Sequence, residues 1–251
     1  MTDVTTVMPS VAAAPAVGEF RIGRVFSRTV TLLSRNFPIY FAVAAVGSVP
    51  LALFQQTTIP LIDDSATLSF IAAVLLLLLG PITQAIILHV AFQDMGGRPV
   101  SLTAAVRAAF GRILQLIGLA ICMGFAIGVG VLLLIVPALI LITMLYVANS
   151  VCVVERQGVF ASMERSSKLT KGHRWPIFGT WLLFTIAGAI LAEVVKSMVG
   201  LTGSAGLVTA GSLAWAAFAT AFGVIFAVVV YHDLRIAKEG IDIRQIAAVF
   251  E

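Results

Sequence analysis

The longest run of hydrophobic positions, residues 113–154, predicts how the rest of the chain is organised. It contains no charged side chain. As one helix it would extend about 63 Å, roughly twice the hydrocarbon core of a bilayer. We therefore predict two membrane spans joined by a tight turn, with Gly128 and Gly130 as the turn residues. Arg112 precedes the run and Glu155 follows it, so both flanks should lie on one side of the membrane.

The same unit, a basic amphipathic segment followed by an apolar hairpin, occurs three times. The lead-in segments are residues 20–37, 102–112 and 155–172. The predicted spans are residues 38–54, 68–92, two within 113–154, 176–199 and 207–231. Residues 35–40 and 173–178 share one order, a polar pair, an aromatic residue, Pro, Ile and an aromatic residue. This match favours three hairpins of the same orientation, a parallel repeat, although shared physical constraints could also produce it.

The composition supports a membrane protein. The chain is 60% hydrophobic and 11% charged, and its mean hydropathy is +1.06. An average soluble domain is about 25% charged. The predicted fold is an all-α polytopic transmembrane bundle of six spans, arranged as three hairpins with basic amphipathic lead-in helices. We expect a disordered tail over residues 1–18, a transmembrane domain over 19–231 and a cytoplasmic tail over 232–251.

The distribution of positive charge predicts the orientation. All of the 16 Lys and Arg residues except Lys196 fall on one side of the six predicted spans. Positively charged connections remain in the cytoplasm. We therefore expect a multi-pass protein of the bacterial inner membrane with both termini in the cytoplasm.

The basic lead-in residues are the first candidate site. In the first lead-in, four arginines fall within roughly 60° of one another around a helix axis. Such a helix can lie in the membrane interface with its arginines at the phosphates, or it can pack against the bundle and present a solvated basic face. Because these charges flank spans, anionic lipid is a simpler partner than nucleic acid. The predicted lipid-headgroup or partner-binding residues are Arg21, Arg24, Arg28, Arg35, Arg165, Lys168, Lys171 and Arg174.

Polar residues inside the spans are the second candidate site, since such residues are costly in lipid. Gln84 follows Pro81, which should kink its helix, and could satisfy the backbone that the proline frees. Asn149 could hydrogen-bond between helices. Glu193 and Lys196 are three residues apart and could form an ion pair. The uncharged groups are expected to hold the helices together, whereas Glu193 and Lys196 form a structural pair at the interface or a coupling-ion or proton site.

No catalytic, cofactor or metal site is predicted. The sequence has no nucleophile elbow, phosphate-binding loop or metalloprotease helix. The three histidines, at 89, 173 and 232, lack close metal-ligand spacing. Cys122 and Cys152 are expected to be packing residues without a disulfide.

Two stretches resemble a bacterial membrane family. The first contains residues 155–158 and 166–172, and the second contains residues 231–235 and 238–240. Both are similar to loops of the six-span family related to the membrane domain attached to some glycerophosphodiester phosphodiesterases. The resemblance implies an integral inner-membrane protein without assigned activity. The phosphodiesterase chemistry of the fused proteins belongs to a separate soluble domain, for which this chain has neither room nor metal-binding carboxylates and histidines.

Two functions follow as hypotheses. The first is a non-enzymatic membrane module whose basic lead-ins bind anionic lipids or a membrane or cytoplasmic protein. The alternative is a transporter or lipid-handling protein for a small substrate, which predicts a polar cavity reaching the middle of the membrane. An intramembrane enzyme is not expected, because no acid and base pair can be named.

Overall fold

The computed structural model describes residues 22–58, 65–201 and 204–239. All regular secondary structure in these residues is helical, as predicted. The predicted disordered tail, Arg21, the acidic connection between the first two spans and the apolar end of the chain lie outside them. The ten helices are α1 (Ile22–Arg35), α2 (Phe37–Thr58), α3 (Ser65–Met95), α4 (Leu102–Phe110), α5 (Ile113–Leu133), α6 (Ile135–Met144), α7 (Ala148–Val154), α8 (Val159–Thr170), α9 (Arg174–Gly200) and α10 (Ala205–Glu239).

The chain is an all-α, multi-pass membrane protein. Within the described residues, five stretches of helix are long and apolar enough to cross a membrane. The number is six if α1 and the first part of α2, which meet at 89°, are counted as one bent span. The predicted first span corresponds to α2, which begins at Phe37 with Pro38 in its first turn.

The helices form a closed ring of three hairpins. The hairpins are α2 with α3, α5 with α6 and α7, and α9 with α10. The second helix of each hairpin contacts the first helix of the next, and α10 closes the ring by contacting α2. The helices α3, α7 and α10 also contact one another at the centre. We call these three the inner helices, and α2, α5 and α9 the outer helices.

The short helices α1, α4 and α8 correspond to the predicted lead-ins. Each packs against the inner helix of the preceding hairpin, α4 on α3, α8 on α7 and α1 on α10. Three repeats of one orientation would produce this cyclic order. The larger apolar core includes residues of the lead-in and inner helices, such as Val25, Val90, Val151 and Leu234. It also continues along α10 and onto α2.

The prediction that Gly128 and Gly130 form the turn of the middle hairpin is wrong. The helix α5 continues through both glycines to Leu133, and the reversal occurs at Leu134. Gly130 serves a different purpose, because a Cβ there would lie 2.9 Å from the Cα of Ala138. Its missing side chain allows α5 and α6 to approach closely beside the turn.

The second span of the middle hairpin is broken. One continuous span is predicted, but α6 ends at Met144 and α7 begins at Ala148. The break leaves carbonyl groups without helical partners, which is costly inside a membrane. The Ser166 hydroxyl donates to the Met144 carbonyl at 2.7 Å, and Thr170 donates to the same oxygen at 3.4 Å. The lead-in α8 therefore caps the broken end of α6.

Other predicted boundaries can be compared directly. Ser101 caps α4 by accepting a hydrogen bond from the Ala104 amide, as predicted. Gly172 follows the end of α8 with a φ of +90°, which favours glycine. The helix α10 continues past the predicted end of the last span at Tyr231 to Glu239. Within this extension, Asp233 pairs with Arg28 of α1, and Glu239 pairs with Arg165 of α8.

Candidate functional site

Each inner helix ends in a largely buried carboxylate beside a lead-in helix. Asp94 lies at the end of α3, Glu155 caps α7, and Asp233 lies in the last turns of α10. A carboxylate removed from water requires a cation or hydrogen-bond donors. The ion pairs are Arg35–Asp94 at 3.9 Å, Arg165–Glu155 at 3.0 Å and Arg28–Asp233 at 2.9 Å.

Arg28 and Asp233 join the first lead-in to the last helix. The Asp233 side chain is only 7% exposed, and one Arg28 nitrogen donates to its Oδ1 atom. The His232 Nδ1 atom lies 3.4 Å from the same oxygen. The sequence predicts that Arg28 binds lipid headgroups, but its closest anion among the described residues is this internal carboxylate.

Arg35 is held more loosely. It lies 3.9 Å from Asp94, and its side chain is 61% exposed. The Tyr40 hydroxyl donates to the other Asp94 oxygen at 3.5 Å, a long hydrogen bond. Arg35 therefore keeps much of its surface free for solvent or headgroups.

The Glu155 carboxylate is the most heavily bonded of the three. It accepts hydrogen bonds from Arg165 at 3.0 Å, from the Tyr231 hydroxyl at 2.8 Å and from Gln157 at 3.0 Å. Arg165 also pairs with Glu239. Burial lowers the pKa of the Arg165 guanidinium, but its bonds to Glu239 and Glu155 outweigh this effect and raise it overall.

This network joins the two stretches that carry the family resemblance. Glu155 of the first stretch contacts Tyr231 of the second. Lys238 of the second donates to the backbone carbonyl of Lys168 in the first at 2.7 Å. The two motifs, distant in sequence, therefore meet in space and stabilise the position of α8 on α10.

Three cations lie near one another at the start of α9. We call this group, which consists of Lys171, Arg174 and Lys238, the basic corner. Lys238 lies within electrostatic range of both other cations. Arg174 donates to Ser167 Oγ at 3.5 Å, whereas its buried Nε atom has no hydrogen-bond partner among the described residues. Burial, together with Lys238, lowers the pKa of the neighbouring His173. The corner therefore places two exposed lysines beside a half-buried arginine.

An apolar cleft lies beside the basic corner, between α6 and α9. Its volume is about 400 Å³. Arg174 borders it, and the other lining residues are Val136, Leu139, Ile140, Thr143, Trp175 and Phe178. Trp175 is 81% exposed at the start of α9, a position typical of residues at the membrane interface. We call this feature the α6/α9 cleft.

The remaining predicted basic residues lie elsewhere. Lys168 forms an exposed pair with Glu164, and its hydrogen bond to that carboxylate lowers the pKa of Glu164. Arg24 is exposed on α1. Of the eight predicted basic residues, the basic corner brings together only Lys171 and Arg174, and it adds Lys238.

The predicted intramembrane polar residues fall into two separate places. Asn149 of α7 donates to Gln84 of α3 at 2.7 Å, which confirms the predicted hydrogen bond between helices. The Gln84 side chain bonds Asn149 and not the backbone near Pro81, through which α3 continues. Glu193 and Lys196 do form a pair, at 3.7 Å, but both side chains are exposed near the other end of α9.

Sequence reasoning missed the acidic side of the site. Asp94, Glu155 and Asp233 each follow an apolar span within a few residues. That shared position was the available signal, because an acid at the end of a buried helix needs a basic neighbour. In the described part of the chain, no three His, Cys, Asp or Glu side chains are grouped as metal ligands. Both cysteines are free.

Comparison of the chain with protein-family models, curated proteins and solved structures finds no match. The family resemblance of the two polar stretches therefore stays a prediction.

Proposed function

We propose that this protein is a non-enzymatic lipid-binding module of the bacterial inner membrane, with its lead-in helices on the cytoplasmic side. Its ligand is one anionic phospholipid, held with the phosphate at the basic corner and an acyl chain in the α6/α9 cleft. The observation that carries the proposal is the buried Arg174 Nε atom, which has no hydrogen-bond partner among the described residues and lies beside an apolar cleft.

The chemistry of the two surfaces favours a lipid. An arginine can bind a phosphate with two parallel hydrogen bonds. The Nε–H group of Arg174 is a donor without a partner among the described residues. The walls of the cleft are almost entirely apolar side chains, which suit a hydrocarbon chain. A soluble anion would occupy the basic corner but would leave the cleft unfilled.

The ion pairs narrow the hypothesis that all the basic lead-in residues bind an anion. Arg28 and Arg165 neutralise internal carboxylates, so they contribute less attraction to an external anion. Lys171 and Arg174 have no carboxylate among their described contacts. The proposed site is therefore local and predicts a defined stoichiometry of one lipid.

Lipid titration of the full-length protein in mild detergent, followed by native mass spectrometry, tests this proposal. Wild-type protein should retain one phosphatidylglycerol in preference to phosphatidylcholine. Each cation near an anionic surface contributes about 1 kcal/mol. The double variant K171Q/R174Q should thus bind phosphatidylglycerol roughly 30-fold more weakly.

Two further variants make the test specific. K196Q removes a charge at the other end of the same helix and should leave binding unchanged. L139W fills the cleft without changing charge and should displace the lipid. Equal affinity for the two lipids, or unchanged binding by K171Q/R174Q, would refute the proposal.

The alternative hypothesis, a transporter or lipid-handling protein for a small substrate, is favoured by a different observation. Cavities adjoin the Gln84–Asn149 pair inside the bundle. They are independent of the basic corner.

A further inference from the structure

The Gln84–Asn149 hydrogen bond uses only some of the donors and acceptors of the two side-chain amides. Each primary amide has two N–H donors and a carbonyl acceptor. Within the described residues, the one side-chain hydrogen bond of either amide is the 2.7 Å bond between them. Whichever way the amides are oriented, one NH₂ group and one carbonyl oxygen remain available. Such groups inside an apolar bundle are costly unless something binds them.

Three cavities adjoin Gln84. One, of about 450 Å³, lies between α3 and α5 and is also bordered by Asn149. A second, of about 290 Å³, lies between the three inner helices and has Asn149 and Thr220 on its wall. A third of the same volume lies between α2, α3 and α10. The amide pair therefore stands where these spaces converge.

Glycines provide independent evidence that the spaces are open. Gly80 borders two of the cavities and Gly223 borders another. A Cβ built at either position would meet no heavy atom within 4 Å. By contrast, a Cβ at Gly47 on α2 would lie 2.0 Å from Thr83 Oγ1, so the bundle does pack tightly nearby. The open space around the amides therefore lies beside a close contact between α2 and α3.

The position and charge of the cavities restrict the ligand. Gln84 lies about 16 Å from the end of α3 at Met95, a depth near the middle of a bilayer core. None of the described residues that line the cavities is charged. An ion would therefore lose its hydration without gaining an opposite charge.

We propose that the cavities around Gln84 and Asn149 form a binding site for a small uncharged amphipathic molecule. Its polar head, a carboxamide or hydroxyl group, exchanges hydrogen bonds with the two amides, and its apolar body fills the adjoining space. The site is separate from the proposed phospholipid site. The protein would then bind a second class of ligand, which it recognises by hydrogen bonds and not by charge.

Photoaffinity labelling tests this site. The probe is octanamide carrying an alkyl diazirine, used on the full-length protein in mild detergent, with labelled residues mapped by mass spectrometry. Labelling should concentrate on α3 and α7 near the amide pair. Unlabelled octanamide should compete for the site, and octanoate, of equal chain length but charged, should compete about tenfold less well or worse.

Matched variants separate binding from folding. Q84L/N149L replaces both amides by apolar groups of similar size, so neither is left unpaired, and labelling should fall about tenfold. Q115L removes a glutamine exposed on α5 and should change nothing. G80L/G223L keeps the amides but fills the space, and it should also abolish labelling.

Thermal unfolding checks that each variant is folded before it is labelled. Labelling spread along the exposed faces of α5 and α9 and unaffected by Q84L/N149L would overturn the proposal. Equal competition by octanoate would overturn it as well. Neither result would bear on the phospholipid site, whose variants lie on other helices.

Discussion

The two ends of the bundle are held together in different ways. At the lead-in end, Val25 and Leu234 are fully buried, and the inner helices end in paired carboxylates. At the far end, Leu132 is 88% and Leu201 is 89% exposed. The ion pair there, between Glu193 and Lys196, is exposed on both sides.

The two ends differ because one buries charged groups away from water, whereas the other exposes apolar side chains that lipid solvates well. A buried carboxylate is stable only with a cation or donors in good geometry, so the lead-in end has one favoured arrangement. Apolar side chains gain little by leaving lipid for a protein interior. Close contacts between small residues can stabilise such an end, and Gly130 with Ala138 makes one of them.

Removing an acid from each end should give the largest contrast. E155A leaves Arg165 with one fewer anion and leaves the Tyr231 hydroxyl without its acceptor. We expect the free energy of unfolding to fall by about 3 kcal/mol. E193A, which breaks the exposed pair, should change it by less than about 0.5 kcal/mol. Thermal and denaturant unfolding in detergent measure the stability of both variants. Equal losses of stability would contradict the proposed difference between the two ends.

Two glycines of one helix test the close contact at the far end. G130A places a methyl group 2.9 Å from the Ala138 backbone, and overpacking of this kind should cost about 2 kcal/mol. G128A meets no neighbouring atom within 4 Å. Because alanine is the better helix former, G128A should be neutral or stabilising by about 0.5 kcal/mol. The free energies of unfolding of the two variants, measured under identical conditions, test this prediction. Equal stability would show that α5 and α6 tolerate a wider separation.

The cap on the broken span should give the smallest effect. S166A removes the hydroxyl that bonds the Met144 carbonyl, and the loss should be about 1 kcal/mol. S34A serves as the control, since the one described hydrogen bond of that exposed hydroxyl is to the Thr31 carbonyl of its own helix. Hydrogen exchange around residues 144–148 should increase in S166A alone. Unchanged exchange there would mean that Thr170 is a sufficient cap.

Much of the fold could be predicted from the hydrophobic pattern. Long uncharged stretches predict membrane-spanning helices, because a helix satisfies its own backbone hydrogen bonds in lipid. Ser101 and Gly172 identify helix ends, because capping depends on local conformation. The turn of the middle hairpin could not be read in this way. A glycine that permits a close approach between helices looks the same in sequence as a glycine that permits a turn.

The candidate sites divide in the same way. The sequence alone determined that the lead-ins are basic and that Gln84 and Asn149 are rare polar groups within spans. Only the tertiary structure decided which cations are already paired, because Asp94, Glu155, Asp233 and Glu239 reach their arginines through contacts between helices. It also decided that the two amides meet beside open space. Ion pairs and cavities depend on the distances between helices. The sequence specifies only the order of residues along each helix.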